Sequence, residues 1–276
     1  MGVVVPLLAQ DAAPAAPDEG DKVPKVRVSL LAIGDLPPIL YKATAKGPVW
    51  IEPPKADFPP PLLYVGNKDK EGGFDKLNVG LNTPMAAIEH PGGKVLKIFE
   101  DKADALAKEA ETAAKAGYLT VPLPAEKVDL TVFLLRNPGS KSWRTTPKSF
   151  AFKNDPVSFP PDSVRVVNFS SHPVRASIAG EVVDLSPLGR PTSMKILGVA
   201  NAQRVLKYQL GAILDGKPLV LADTATSFYP GTRLNMIIYD GDSKESGGAI
   251  KFCSFSEMPI VKEPAPKVAP VAGAVP

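Results

Sequence analysis

Proline cuts this chain into pieces too short for long helices. There are 31 prolines against 22 glycines, and they fall as pairs or triplets at Pro37-Pro38, Pro53-Pro54, Pro59-Pro60-Pro61 and Pro160-Pro161. A proline inside a helix removes a hydrogen bond and clashes with the preceding turn, so such spacing leaves turns, edge strands and short apolar segments. The segments between the prolines have the alternation of strands: "VRVSLLAIG" (26–34), "ILYKATA" (39–45), "PLLYVGN" (61–67), "KLNVGLN" (76–82) and "KVLKIFE" (94–100). The same texture returns beyond residue 117 in "YLTVPL", "DLTVFLL", "KSFAFK", "SVRVVNF", "VRASIAG", "VLKYQLGAIL", "PLVLADTATSF", "LNMIIYD" and "AIKFCSF".

One stretch departs from this. "DKADALAKEAETAAKAG" (101–117) is alanine-rich, sets Leu106, Ala110 and Ala114 on one stripe and ends at Gly117, which predicts a short helix leaning on a sheet edge.

At 276 residues the chain has room for two domains, each burying its own core. Three pairs of segments recur in the same order: "FDKLNVGLNTP" with "PDSVRVVNFSSHP", "VLKI" (95–98) with "VLKY" (205–208), and "PAEKVDLTVFLL" (124–135) with "PGTRLNMIIYDG" (230–241). Common order points to duplicated units of about ninety to a hundred residues, the size of a β-sandwich domain. The expected layout is a first sandwich over 25–155, carrying the helix near 101–117, and a second over 156–262, both antiparallel.

The ends differ in composition. Residues 1–10 open with the apolar run Val3–Ala9, which predicts the remnant of a secretory signal, residues 11–24 form an Ala/Pro/Asp linker, and 263–276 a Pro/Ala-rich tail. The expected location is therefore periplasmic, or extracellular at the cell surface. No later run has the length of a membrane-crossing helix, so none is expected in the mature chain.

"FPPDSVRVVNFSSHPVRASIAGEVVDLSPLG" and "YPGTRLNMIIYDGD" resemble the immunoglobulin-like repeats of exported bacterial envelope proteins, a group of unknown function. The resemblance is best over 156–262 and is carried by short apolar motifs. It implies export and a sandwich fold, and it supplies no catalytic residues.

Charge argues against nucleic acid as a partner: the net charge is +3, and lysines and arginines are scattered rather than gathered in a stripe. Cys253, the single cysteine, sits among apolar neighbours in "IKFCSFSE" and is expected to act as a small buried hydrophobe.

The residues able to do chemistry are few. Ser170, Ser171 and His172 follow a strand in "VRVVNFSSHPV", but a Ser/His pair needs an orienting acid and oxyanion donors, and "GxSxG" is absent from the sequence. The run is expected to be a corner between strands. His90 in "IEHPGG" lacks the spacing of a metal site and is expected in a loop. "DGDSKES" (240–246) lacks the third ligand and the glycine of a calcium loop and is expected to be a hairpin turn. "EGGFD", "HPGGK" and "SGGAI" do not lie between a strand and a helix with phosphate-binding spacing. No cofactor and no metal is expected.

Two tryptophans remain. Trp143, flanked by Lys141 and Arg144, is the first candidate for a surface contact, and Trp50 is the second. The function expected from these residues is that of a non-catalytic exported envelope protein, structural or protein-binding. The alternatives are a carbohydrate-binding module with a glycan partner, a subunit of a pilus or secretion assembly, and a serine hydrolase using His172.

Overall fold

The computed structural model describes residues 25–106, 117–137, 140, 142–195, 205–242 and 249–257. The fold is mainly β, its sheets stacked in sandwich-like layers.

The first half is organised on β1 (Val26–Ile33). It pairs in parallel with β9 (Asp129–Leu135) on one side. Its other side is shared: the start of β1 pairs antiparallel with β6 (Ile88–His90) and its end pairs in parallel with β5 (Phe74–Leu81). The sheet is finished by β4 (Leu62–Gly66) beside β5 and by β10 (Lys148–Lys153) beside β9.

Strand alternation sends the side chains of β1 into two different cores. Val28, Leu30 and Ala32 join Leu130, Val132 and Leu134 in a core closed by the pair β7 (Val95–Ile98) and β8 (Leu119–Pro122). Leu31 and Ile33 join Phe133 on the opposite face, where they meet the second half of the chain.

There β11 (Ser163–Asn168) pairs in parallel with β17 (Arg233–Asp240) and antiparallel with β14 (Thr192–Lys195), and β18 (Ile250–Glu257) lies beyond β17. A further sheet runs in the order β13 (Glu181–Leu185), β12 (Val174–Ile178), β15 (Val205–Leu214), β16 (Lys217–Ser227). Val164, Val166, Leu234, Met236 and Ile238 fill the space between these two sheets. Val167, Phe169, Ile237 and Tyr239 point the other way, towards Phe133 and Leu31. Strands β11 and β17 are thus buried on both faces, and the polar residues they carry, Ser163, Arg165, Asn168, Arg233 and Asn235, are buried with them.

The antiparallel expectation holds for the hairpins but not for the strands between them. β1 with β9 and β11 with β17 run in parallel, because the chain joining each pair passes through another sheet before returning, the long crossover that parallel neighbours require. This order recurs: in each half the first strand lies parallel to the penultimate one, which is antiparallel to the last.

Two of the three repeated segments fall on equivalent strands, "VLKI" and "VLKY" on β7 and β15, and "DLTVFLL" and "LNMIIYD" on β9 and β17. The third does not. "FDKLNVGLNTP" covers β5, whereas the strand in the place of β11 is β1.

The predicted helix is present as α1 (Lys102–Leu106), where the Asp101 carboxylate accepts a hydrogen bond from the Ala103 N–H at 2.7 Å and Ala105 packs on Phe99. Leu106 is exposed rather than on a buried stripe, and Ala110 and Ala114 lie outside the described residues, as do 1–24 and 263–276.

Candidate functional site

The serine-histidine corner is held together by Asn168. Its amide oxygen accepts from the Ser170 N–H at 3.0 Å and the Ser170 hydroxyl at 2.7 Å, while its amide nitrogen donates to the carbonyls of His172, Leu185 and Ser186. The Ser171 N–H donates to both carboxylate oxygens of Asp240. Ser170 is fully buried, and its hydroxyl also reaches the backbone carbonyl of His172 at 3.1 Å. The corner's polar groups are therefore occupied in bending the chain.

His90 lies on β6 rather than in a loop, with Nδ1 at 3.8 Å from the buried carboxylate of Asp75. Asp75 also accepts from the Asn67 amide at 2.6 Å and is paired with Lys70. Burial lowers the His90 pKa below its ordinary value, against the opposing pull of Asp75. Among the described residues no group of three or more His, Cys, Asp or Glu could hold a metal ion. Of "DGDSKES", Asp240 serves the corner and Asp242 pairs with Arg136; residues 243–246 lie outside the described residues.

The two tryptophans exchange the parts expected of them. Trp143 is 1% exposed and belongs to the core of the first half. Its N–H donates to the Ala56 carbonyl at 2.8 Å, its carbonyl accepts from the Tyr118 hydroxyl at 2.9 Å, and a Cβ at Gly34 would touch its ring at 3.4 Å. The charged neighbours that made it look like a surface residue point elsewhere: Arg144 is exposed and paired with Glu100 at 3.2 Å. Lys141 lies outside the described residues. Trp143 is a core residue and presents no ring for contact.

Trp50 is on the surface. It lies in a two-stranded ribbon, β2 (Leu40–Thr44) and β3 (Gly47–Ile51), which joins no other strand among the described residues. The register places Tyr41 opposite Trp50 and Leu40 opposite Ile51. Alternation then gives Tyr41 and Trp50 to one face and Leu40, Ile51 and Val49 to the other. Tyr41 is 65% and Trp50 54% exposed, and Leu40, Val49, Ile51, Leu36 and Ile39 are exposed with them. Elsewhere each described sheet turns at least one face into a core; the ribbon turns neither.

Contiguous exposed apolar side chains of this kind mark contact surfaces. Sequence reading missed Tyr41 and ranked Trp50 second. The available signal was the pair of unbroken apolar runs "ILY" and "VWI" facing each other across "KATAKGP". A strand that rests on a core needs apolar residues on one face only, and these runs supply both.

No family model matches this chain, and no curated protein matches it. Among solved structures it is similar to the crystal structure of a "putative cell adhesion protein" from Bacteroides eggerthii, at 9% identity over 87% of this chain and 98% of that one, with a TM-score of 0.22. At that score the likeness transfers nothing to this chain. No helix among the described residues is long and apolar enough to cross a membrane.

Proposed function

We propose that this chain is a non-catalytic interaction module of the cell envelope, with residues 25–155 and 156–262 as two sandwich domains and the β2–β3 ribbon as its contact element. The observation that carries this reading is the Tyr41–Trp50 pair, two large aromatic side chains opposite one another and open to solvent on a ribbon with no core of its own. Aromatic side chains bring a large contact area at a small entropic cost, which is why they anchor binding surfaces. The exported location rests on the apolar Val3–Ala9 run at the start of the sequence.

The test is binding of purified protein to isolated envelopes of the source cell. Replacing both aromatics, Tyr41→Ser with Trp50→Ser, is expected to weaken binding by about tenfold or more, whereas the exposed control Val157→Ser leaves it unchanged. Equal binding by all three proteins would remove the ribbon from the reading. Turnover of any ester or peptide substrate that disappears in His172→Ala would replace it with the hydrolase alternative.

A further inference from the structure

A two-stranded ribbon alone in water is marginal; a third strand or a packing surface stabilises it. The chain contains its own comparison. In the second half the hairpin β12–β13 follows the first strand, as β2–β3 does in the first half, and there β12 is flanked on its other side by β15, from Val174 opposite Ala212 to Ile178 opposite Tyr208. In the first half the strand in the place of β15 is β7. The end of that strand is joined instead to β4, through the paired N–H and C=O groups of Tyr64 and Phe99 at 2.8 and 2.9 Å. The outer edge of β2 is left as a strand position that nothing fills among the described residues.

We propose that a second copy of this chain fills it, the edge strand β13 of one copy lying antiparallel along β2 of the next. This rests on the ribbon being the contact element. Charge selects the pairing. Between Leu36 and Ile51 the ribbon segment carries Lys42 and Lys46 and no acidic residue. Two ribbons paired about a two-fold axis would set like charges opposite each other, which is destabilising, so the symmetric contact is disfavoured.

Among the outermost strands, β10 carries Lys148 and Lys153, β14 carries Lys195, β7 carries Lys97, β16 carries Lys217 with Asp223, and β18 carries Lys251 with Glu257; β6 carries Glu89 but spans three residues, too few to match β2. Strands β4 and β8 carry no charge. Strand β13 has Glu181 and Asp184 and no base. Asp184 already holds Arg175 at 2.7 and 3.0 Å, which leaves Glu181 as the acid available to a lysine of the ribbon. Among the described residues strand β13 pairs with β12 alone; it matches β2 at five residues and exposes Val182. The two surfaces differ, so the contact is heterologous and propagates head to tail.

Sedimentation velocity of the full chain tests this across about two decades of concentration up to about 0.3 mM. The expected result is a distribution that grows beyond dimers and shrinks in about 0.5 M salt. Lys42→Glu and Glu181→Lys should each weaken association by about tenfold, and the two together should restore it. A monomer at every concentration overturns the proposal, as does association that neither charge reversal changes. So does a closed dimer that Lys42→Cys cross-links to itself. If the chain is monomeric and envelope binding still needs Tyr41 and Trp50, self-association fails while the ribbon keeps its role; if neither aromatic matters to envelope binding, the underlying reading fails as well.

Discussion

The guanidinium of Arg165 lies 3.9 Å from the centroid of the Phe159 ring, at the junction where the two halves of the chain meet. Arg233 approaches the same ring at 5.2 Å. Arg165 also donates to the Lys153 carbonyl at 2.8 Å and to the Asn154 side chain at 3.2 Å, while the Glu257 carboxylate accepts from Arg233, Asn235 and Asn154 at 3.0, 2.8 and 2.9 Å. Burial pulls the Arg165 pKa down to about 10, which still leaves it charged at neutral pH. Phe159→Ala is expected to cost about 3–5 kcal/mol in urea unfolding, since it removes a fully buried ring and the shared surface of both cations. Glu257→Gln should cost about 3 kcal/mol, because it leaves two largely buried arginines without their carboxylate. Loss of under about 0.5 kcal/mol in either variant would contradict the arrangement.

His90 makes stability depend on pH in a stated direction. Its folded pKa lies below 6.5, so between those two values the unfolded chain binds more protons than the folded one. Stability contributed by neutral His90 is fully present above pH 6.5 and is lost as pH falls through the folded pKa. Urea unfolding from pH 8 to pH 5 should show the decline, and His90→Gln should flatten it. An unchanged slope in that variant would assign the decline to other groups.

Cys253 is packed beside Val167 and Phe255, and burial alone pushes its thiol up to about 12. Against an ordinary thiol at 9.0, the thiolate fraction near neutral pH falls by roughly a thousandfold, and reaction with a disulfide reagent should slow by a comparable factor until the chain unfolds. Stopped assays in native buffer and in denaturant measure this ratio. A fast native reaction would place the thiol outside the cluster formed with Val167 and Phe255.

The two tryptophans should separate in acrylamide quenching. One emission component, removed by Trp50→Phe, is expected to be accessible, and the other, removed by Trp143→Phe, protected. Trp143→Ala should cost about 3–5 kcal/mol, and Trp50→Ala within about 0.5 kcal/mol.

What the sequence made legible follows from what is local. Alternation marked the strands, and the apolar run from Met236 to Tyr239 registers the double burial of β17, whereas β11 is buried on both faces in spite of Arg165 and Asn168. Alternation is the same in parallel and antiparallel pairs, so nothing in "VRVSLLAI" or "DLTVFLL" distinguished the pairing of β1 with β9. The tryptophans were misranked for a similar reason. Lys141 and Arg144 beside Trp143 imply exposure, but its burial is set by Tyr118 and Gly34, which are distant in sequence. Trp50 has apolar neighbours that imply a core, and it belongs to none of the cores among the described residues.

Arg27 is joined to Asp129, whose carbonyl holds the Asn154 N–H, and the Asn154 side chain reaches Glu257. The described chain therefore enters and leaves at one pole of the molecule, and the crossing between its halves lies there too. β1 climbs from that pole to Gly34, where the segment leading into the ribbon departs beside the Tyr239 hydroxyl. A fluorophore or a surface tether joined at either end of the described chain attaches at the foot of this climb, and the turn that launches Tyr41 and Trp50 stands at its summit.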